Sequence, residues 1–279
     1  LFQLPENFFV KILPGIGLCF LCSGTAAQLV QRTAWAPDLQ STAYSLKQTD
    51  VFSFTANPAA LRPVKFFTAG VYSERRYMLN ELSHFSAHVV LPAKKGSSGF
   101  RVSHSGNAGY SETGAQLAFA RSMGTGADVG IAVEYFHLGS GPYGKTSALS
   151  GTAGFIFHPY PGLQLGGRFS YPVLFQKAKY DPGLPVFFSM GGGYDVSDGL
   201  FLGINLVKEE GHPVSVAAAL HYRFTERIYV RTGICTGPSQ FYFGTGIRLH
   251  DLRLHTTASL HPQLGITPGL SLSYTANEK

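Results

Sequence analysis

The stretch GSGPYGKT, residues 139–146, places Gly139 and then Gly144-Lys145-Thr146 at the spacing of a phosphate-binding loop. In such a loop backbone N–H groups surround the phosphates, the lysine reaches their oxygens and the hydroxyl meets magnesium. The chemistry requires a helix to begin at the Lys-Thr end, because a helix N-terminus supplies the free N–H groups. The run GIAVEYFHL before it reads as a strand. The run after it, SALSGTAGFIFHPY, puts Leu149, Ala153, Phe155 and Phe157 on one face at period two, which is a strand again. The Gly, Ser and Pro residues therefore mark an exposed turn. Neither a nucleotide nor a nucleic acid is expected as a partner.

Other reactive residues are dispersed. The chain has 10 histidines, and His250-Asp251 has no serine tied to it in the sequence. His255 and His261 lie six apart on one strand pattern, too far to chelate one metal ion. No enzyme activity, cofactor or metal is expected.

The elements that must position these residues are strands. Charged residues are 14% of the chain, against about 25% in soluble domains, while aromatic residues reach 13% and glycine numbers 33. Residues 1–27 read as a signal peptide, with Lys11, a short apolar run and a cleavage point after Ala27. Beyond it Cys235 is the sole cysteine, so no internal disulfide is expected. No later apolar run is long enough for a spanning helix.

What recurs is a two-faced strand of about ten residues and a turn. In LQLGGRFSY, Leu163, Leu165, Phe169 and Tyr171 oppose Gln164, Arg168 and Ser170. LHYRF and LRLHTTASLH repeat the pattern. About 14 such segments follow Val64, at 64–73, 79–91, 98–106, 110–122, 127–138, 147–158, 163–172, 184–195, 200–208, 213–224, 228–236, 240–249, 252–261 and 265–276. From the sixth on, tight connections (PYPG, VSDG, TER, HD) alternate with mostly longer ones. No helix remains to cover the apolar faces, and the polar faces carry much Arg and His. Lipid outside and a polar lumen inside satisfy both. The expected fold is all-β, a transmembrane antiparallel up-and-down barrel over 64–276, in the outer membrane of a Gram-negative cell. Its partners would be outer-membrane lipid and lipopolysaccharide.

Residues 28–63 do not alternate. They end in TANPAALRP, where Asn57 suits a helix cap and Pro58 a first helical position. A short segment ending in Asn57, Pro58, Ala59 and Leu61, set before about fourteen strands, resembles the FadL-type outer-membrane transporters and the PorV/PorQ proteins of Bacteroidota. The resemblance implies that 28–63 plugs the periplasmic half of the barrel. The loops here are stubby where FadL-type transporters have long ones, which tilts the resemblance toward PorV/PorQ. It then implies a non-enzymatic component of type IX protein secretion or surface attachment, with other secretion or surface proteins as partners. The alternative is a FadL-like diffusion channel for small hydrophobic or anionic solutes.

The alternation turns Arg168, Arg223, Arg231, Arg248, His250 and Arg253 toward the lumen, all near periplasmic turns. Carboxylates facing the same space look few. Asp38 and Asp50, on the N-terminal segment, are the expected counter-charges, since buried charges need partners.

Overall fold

The structure, a computed structural model, describes residues 37–107, 109–140, 144–175, 185–237 and 239–276. The expected signal peptide and cleavage point lie outside these residues. Fourteen strands form one closed antiparallel barrel in which each strand pairs with its sequence neighbours and the first with the last. They are β1 (Thr68–Arg75), β2 (Ser83–Ala93), β3 (Gly96–Gly106), β4 (Tyr110–Ser122) and β5 (Ala127–Ser140). Then come β6 (Gly144–Tyr160), β7 (Leu163–Phe175), β8 (Phe187–Asp195), β9 (Leu200–Glu209) and β10 (Ser215–Arg223). The last are β11 (Ile228–Thr236), β12 (Ser239–Leu249), β13 (Leu252–His261) and β14 (Gly265–Thr275). Closure pairs Thr68 with Thr275 and leaves no free edge.

The expected bounds fail most at the first two strands. Residues 64–67 belong to the approach to β1. Beyond β1, Arg76–Met78 and Asn80–Leu82 form 3-10 turns, with Tyr77 and Met78 at positive φ. Turns of this kind break the alternation that marks a strand. The phosphate-loop look-alike straddles a hairpin: Ser140 pairs with Gly144, and β6 runs on from Gly144 without a helix.

The distribution of residue types is inverted relative to a water-soluble fold. Apolar side chains such as Leu117, Ile131, Val133, Ile204 and Leu270 are exposed on the outside. Polar ones such as Glu134, Gln164, Arg231 and Ser271 are buried inside. Only lipid outside makes this pattern favourable. Exposed aromatic residues gather near the end that carries the termini, at Phe67, Tyr160, Tyr194, Phe224 and Tyr274. A second group (Phe85, Tyr171, Phe188, Phe241) lies toward the other end, giving the two interfacial girdles of an outer-membrane barrel. Connections at the terminal end are tight, such as His250-Asp251 and 161–162, whereas the longer 76–82 crosses the opposite rim.

Residues 37–61 lie inside the barrel at the terminal end. They form a helical turn at Pro37–Gln40 and 3-10 turns at Ser53–Thr55 and Pro58–Leu61. Leu39, Val51, Phe52, Phe54 and Leu61 pack on Tyr72, Val90, Ala118, Ala120 and Ala132 of the wall. Ala43, Tyr44, Ala56, Ala59 and Ala60 pack on Ile156. The lower lumen thus holds apolar clusters beside its polar groups, where a polar lumen was expected. Wall glycines allow the close approach. A Cβ on Gly130 would lie 2.5 Å from Ala59 N, and one on Gly99 would lie 2.7 Å from Leu61 Cδ2.

Candidate functional site

The inner segment is tied to the wall by polar groups at each of its turns. Asn57, fully buried, caps the Pro58–Leu61 turn by accepting from Ala59 N at 3.0 Å. Its Nδ2 donates to Phe155 O and Gly167 O, both at 3.2 Å, so one amide spans β6 and β7. The capping role follows from the sequence; the grip on two strands does not. Arg62 donates to Ser122 Oγ and Ser97 Oγ at 3.0 and 3.2 Å. Asp195, at the end of β8, accepts from Ser45 Oγ and, at 2.9 Å, from Leu46 N.

The two carboxylates of the segment meet the wall as follows. Arg231 donates to Asp50 Oδ2 at 2.9 Å and to His221 Nδ1 at 3.2 Å. Asp50 Oδ1 also accepts from Phe52 N at 2.9 Å, so it caps its own turn. Asp38 pairs not with an arginine but with His255, at 3.0 Å, both almost fully buried. His221, Tyr229 and His255 form a stack with interplanar angles of 8° and 6°. Arg231 sits 5.4 Å from the Tyr229 ring centre. Gly246 stands between Tyr229 and His255 in the register and leaves room for the rings to meet.

The remaining predicted positions are dispersed. Arg168 donates to Thr55 O and lies 4.1 Å over the Phe187 ring. Arg223 opposes Tyr229, and Arg248 opposes Arg253, all on the inward face near the terminal end. His250 is a correction. It lies in the turn between β12 and β13, exposed, with φ 53°. The strand ends at Leu249 as expected, but the inward face does not carry on into the HD connection, where the tight turn takes a left-handed residue and alternation no longer holds.

The expected scarcity of inward carboxylates is a second correction. Glu74, Asp128, Glu134, Asp195 and Glu209 are all buried on the inner wall. Glu74 accepts from Tyr72 and Arg76, Asp128 meets Ser122 and His158, and Arg101 pairs with Glu134. They lie on β1, β5, β8 and β9, so inward carboxylates are spread round the wall rather than confined to the inner segment.

Above the inner segment lies a cavity of about 310 Å³. Gln40, Ser41, Tyr44, Thr55 and Ala56 form its floor. On one side the register sets Arg101 beside Gln116, Gln116 beside Glu134 and Glu134 beside Ser150, a polar row across β3 to β6. Phe187, Val207, Ala217 and Ala219 present apolar or small groups elsewhere on the wall. No group of three or more His, Cys, Asp or Glu able to hold a metal ion occurs among the described residues.

Neither a protein-family model nor a curated protein matches the sequence. Solved structures do. A deltaS2 mutant of the monoaromatic hydrocarbon channel TodX superposes with a TM-score of 0.66 at 9% identity, over 85% of this chain and 96% of that one. A FadL homologue of Pseudomonas aeruginosa gives 0.58 at 12% identity, over 82% and 95%. The fold is that of the FadL-type outer-membrane transporters. The monoaromatic hydrocarbon channel CymD gives 0.57 at 10% identity, over 84% and 98%. TodX and CymD are monoaromatic hydrocarbon channels, and the barrel fold matches outer-membrane channels of Gram-negative bacteria. At these identities the likeness is one of fold.

Proposed function

We propose that the protein is a non-enzymatic outer-membrane channel for the passive passage of small organic solutes of hydrophobic character. The observation that carries this reading is the cavity floored by the inner segment within a FadL-type barrel. Ligand sites of about 300–1,000 Å³ suit small molecules, and this cavity lies at the lower end of that range. The outer belt would contact lipid and lipopolysaccharide. The anionic half of the sequence expectation loses its support, because Arg231 and Arg168 are engaged by the inner segment. Uptake of labelled toluene into Gram-negative host cells tests the reading. Cells whose outer membrane holds the protein should take it up faster than cells without it, and equal rates would remove the channel.

A second reading keeps a PorV/PorQ-like role in secretion or surface attachment. The filled lower lumen favours it, since an adaptor has no need of an open path. On that reading uptake stays at background and the barrel co-purifies with a secreted or surface protein.

A further inference from the structure

We propose that the lumen cavity selects small uncharged amphiphiles, an apolar ring or short chain bearing one hydrogen-bond donor such as a phenolic hydroxyl, over plain hydrocarbons and over carboxylates. The inference deepens the channel reading and rests on it.

Gln116 is the central observation. Its side chain lines the cavity, it is only 5% exposed, and its Oε1 has no hydrogen-bond partner among the described residues. Asn205 also lines the cavity, and its Oδ1 is a second buried acceptor without a partner among them. A buried amide oxygen without a donor is costly, so native proteins rarely leave one unmet. A hydrocarbon would supply no donor to either oxygen. A hydroxyl would donate to either of them.

Charge argues against an acid. Glu112, Glu134 and Glu209 line the cavity together with Arg101 and Arg168. Arg101 is paired with Glu134, and Arg168 donates to Thr55 O on the floor. Glu112 accepts from Tyr110. A carboxylate entering this space would meet like charge and cations already committed, and would lose its own water. The apolar part of the solute has a different wall: Val207, Ala217 and Ala219 offer uncharged side chains on neighbouring strands. Sites built to hydrogen-bond a hydroxyl discriminate strongly against the analogue that lacks it.

The test uses toluene, p-cresol and p-toluate, which share a ring and a methyl group and differ in one substituent. The full-length barrel in detergent is titrated with each by calorimetry. p-Cresol should bind about tenfold or more tighter than toluene, with p-toluate weakest. Gln116→Leu should weaken p-cresol by about tenfold and leave toluene unchanged or tighter. Heat-dependent gel migration shows that the variant has assembled. Should it fail to assemble, Cys235 of the wild-type barrel serves instead, because it lines the same cavity. Maleimide labelling, read by mass spectrometry on its peptide, should be blocked at lower concentrations of p-cresol than of toluene. Toluene or p-toluate binding as well as p-cresol overturns the selectivity and leaves the channel standing. Absence of binding and protection by all three overturns the channel reading, and this inference with it.

Discussion

Asp50 shows how much one side chain can hold. It binds Arg231, which is 3% exposed, and caps the turn that places Phe52 and Phe54 in the lower core. Asp50→Ala would strand a buried guanidinium beside His221, at a cost of about 3–5 kcal/mol. Asp50→Asn keeps an acceptor for Phe52 N and should cost less. The temperature at which the barrel loses its compact gel migration measures both, and equal effects would disprove this account. At the rim, Lys47 lies 2.5 Å from Asp198. The hydrogen bond and charge of Lys47 hold the Asp198 carboxyl below its ordinary value of 3.8. The lowered pKa means that whatever this pair contributes is complete above that ordinary value and is lost as pH falls through the folded one. The pair is exposed, so its contribution is small. Lys47→Ala should move the Asp198 titration upward, as read by NMR, with little change in stability.

At the scale of elements, each strand has one face for lipid and one for the lumen. Leu117 stands near the middle of β4, is 65% exposed and opposes Val133 on β5. Leu117→Arg should cost about 2–4 kcal/mol, as a charge near the bilayer midplane does. Leu165 shares the outward face but lies three residues into β7, close to the interface. Leu165→Arg should therefore cost about 0–1 kcal/mol. Equal assembly defects in a folding assay would show that depth is misassigned. The inner segment is the other element with a separable role. Its contacts are to the inside of the barrel, and closure depends on the β1–β14 pairing rather than on it. Deleting 28–56 should leave a barrel that assembles and conducts more current in planar bilayers. Unchanged conductance would show that the segment does not obstruct the pore.

As a whole molecule the barrel is closed, and none of its strands presents an unpaired edge to detergent. Unfolding must break inter-strand hydrogen bonds all round the ring, which detergent at room temperature does not do. Unboiled protein should migrate differently from boiled protein on a denaturing gel. Identical migration would contradict a closed barrel. The same closure explains the filled lower lumen and the cavity above it. A ring of this size encloses more space than its own side chains fill, and a folded-in segment takes up only the terminal half.

The period-two alternation by itself determined the fold class, the count of about 14 strands and, within most strands, the face on which residues such as Leu165 and Ser170 lie. Tyr110–Ser122, Ile228–Thr236 and Leu252–His261 have the expected bounds. A strand's two faces are a local property, written in every second residue. Turn chemistry was also local, so GSGPYGKT and the Asn57 cap were legible. Partners were not. That Asp38 would meet His255, that Asn57 would bridge Phe155 and Gly167, and that Arg101, Gln116 and Glu134 would align in one row are matters of register and closure. Those contacts join residues up to 217 positions apart. They depend on the stagger of the whole ring and on where a segment without periodicity settles inside it, and only the tertiary structure decides either.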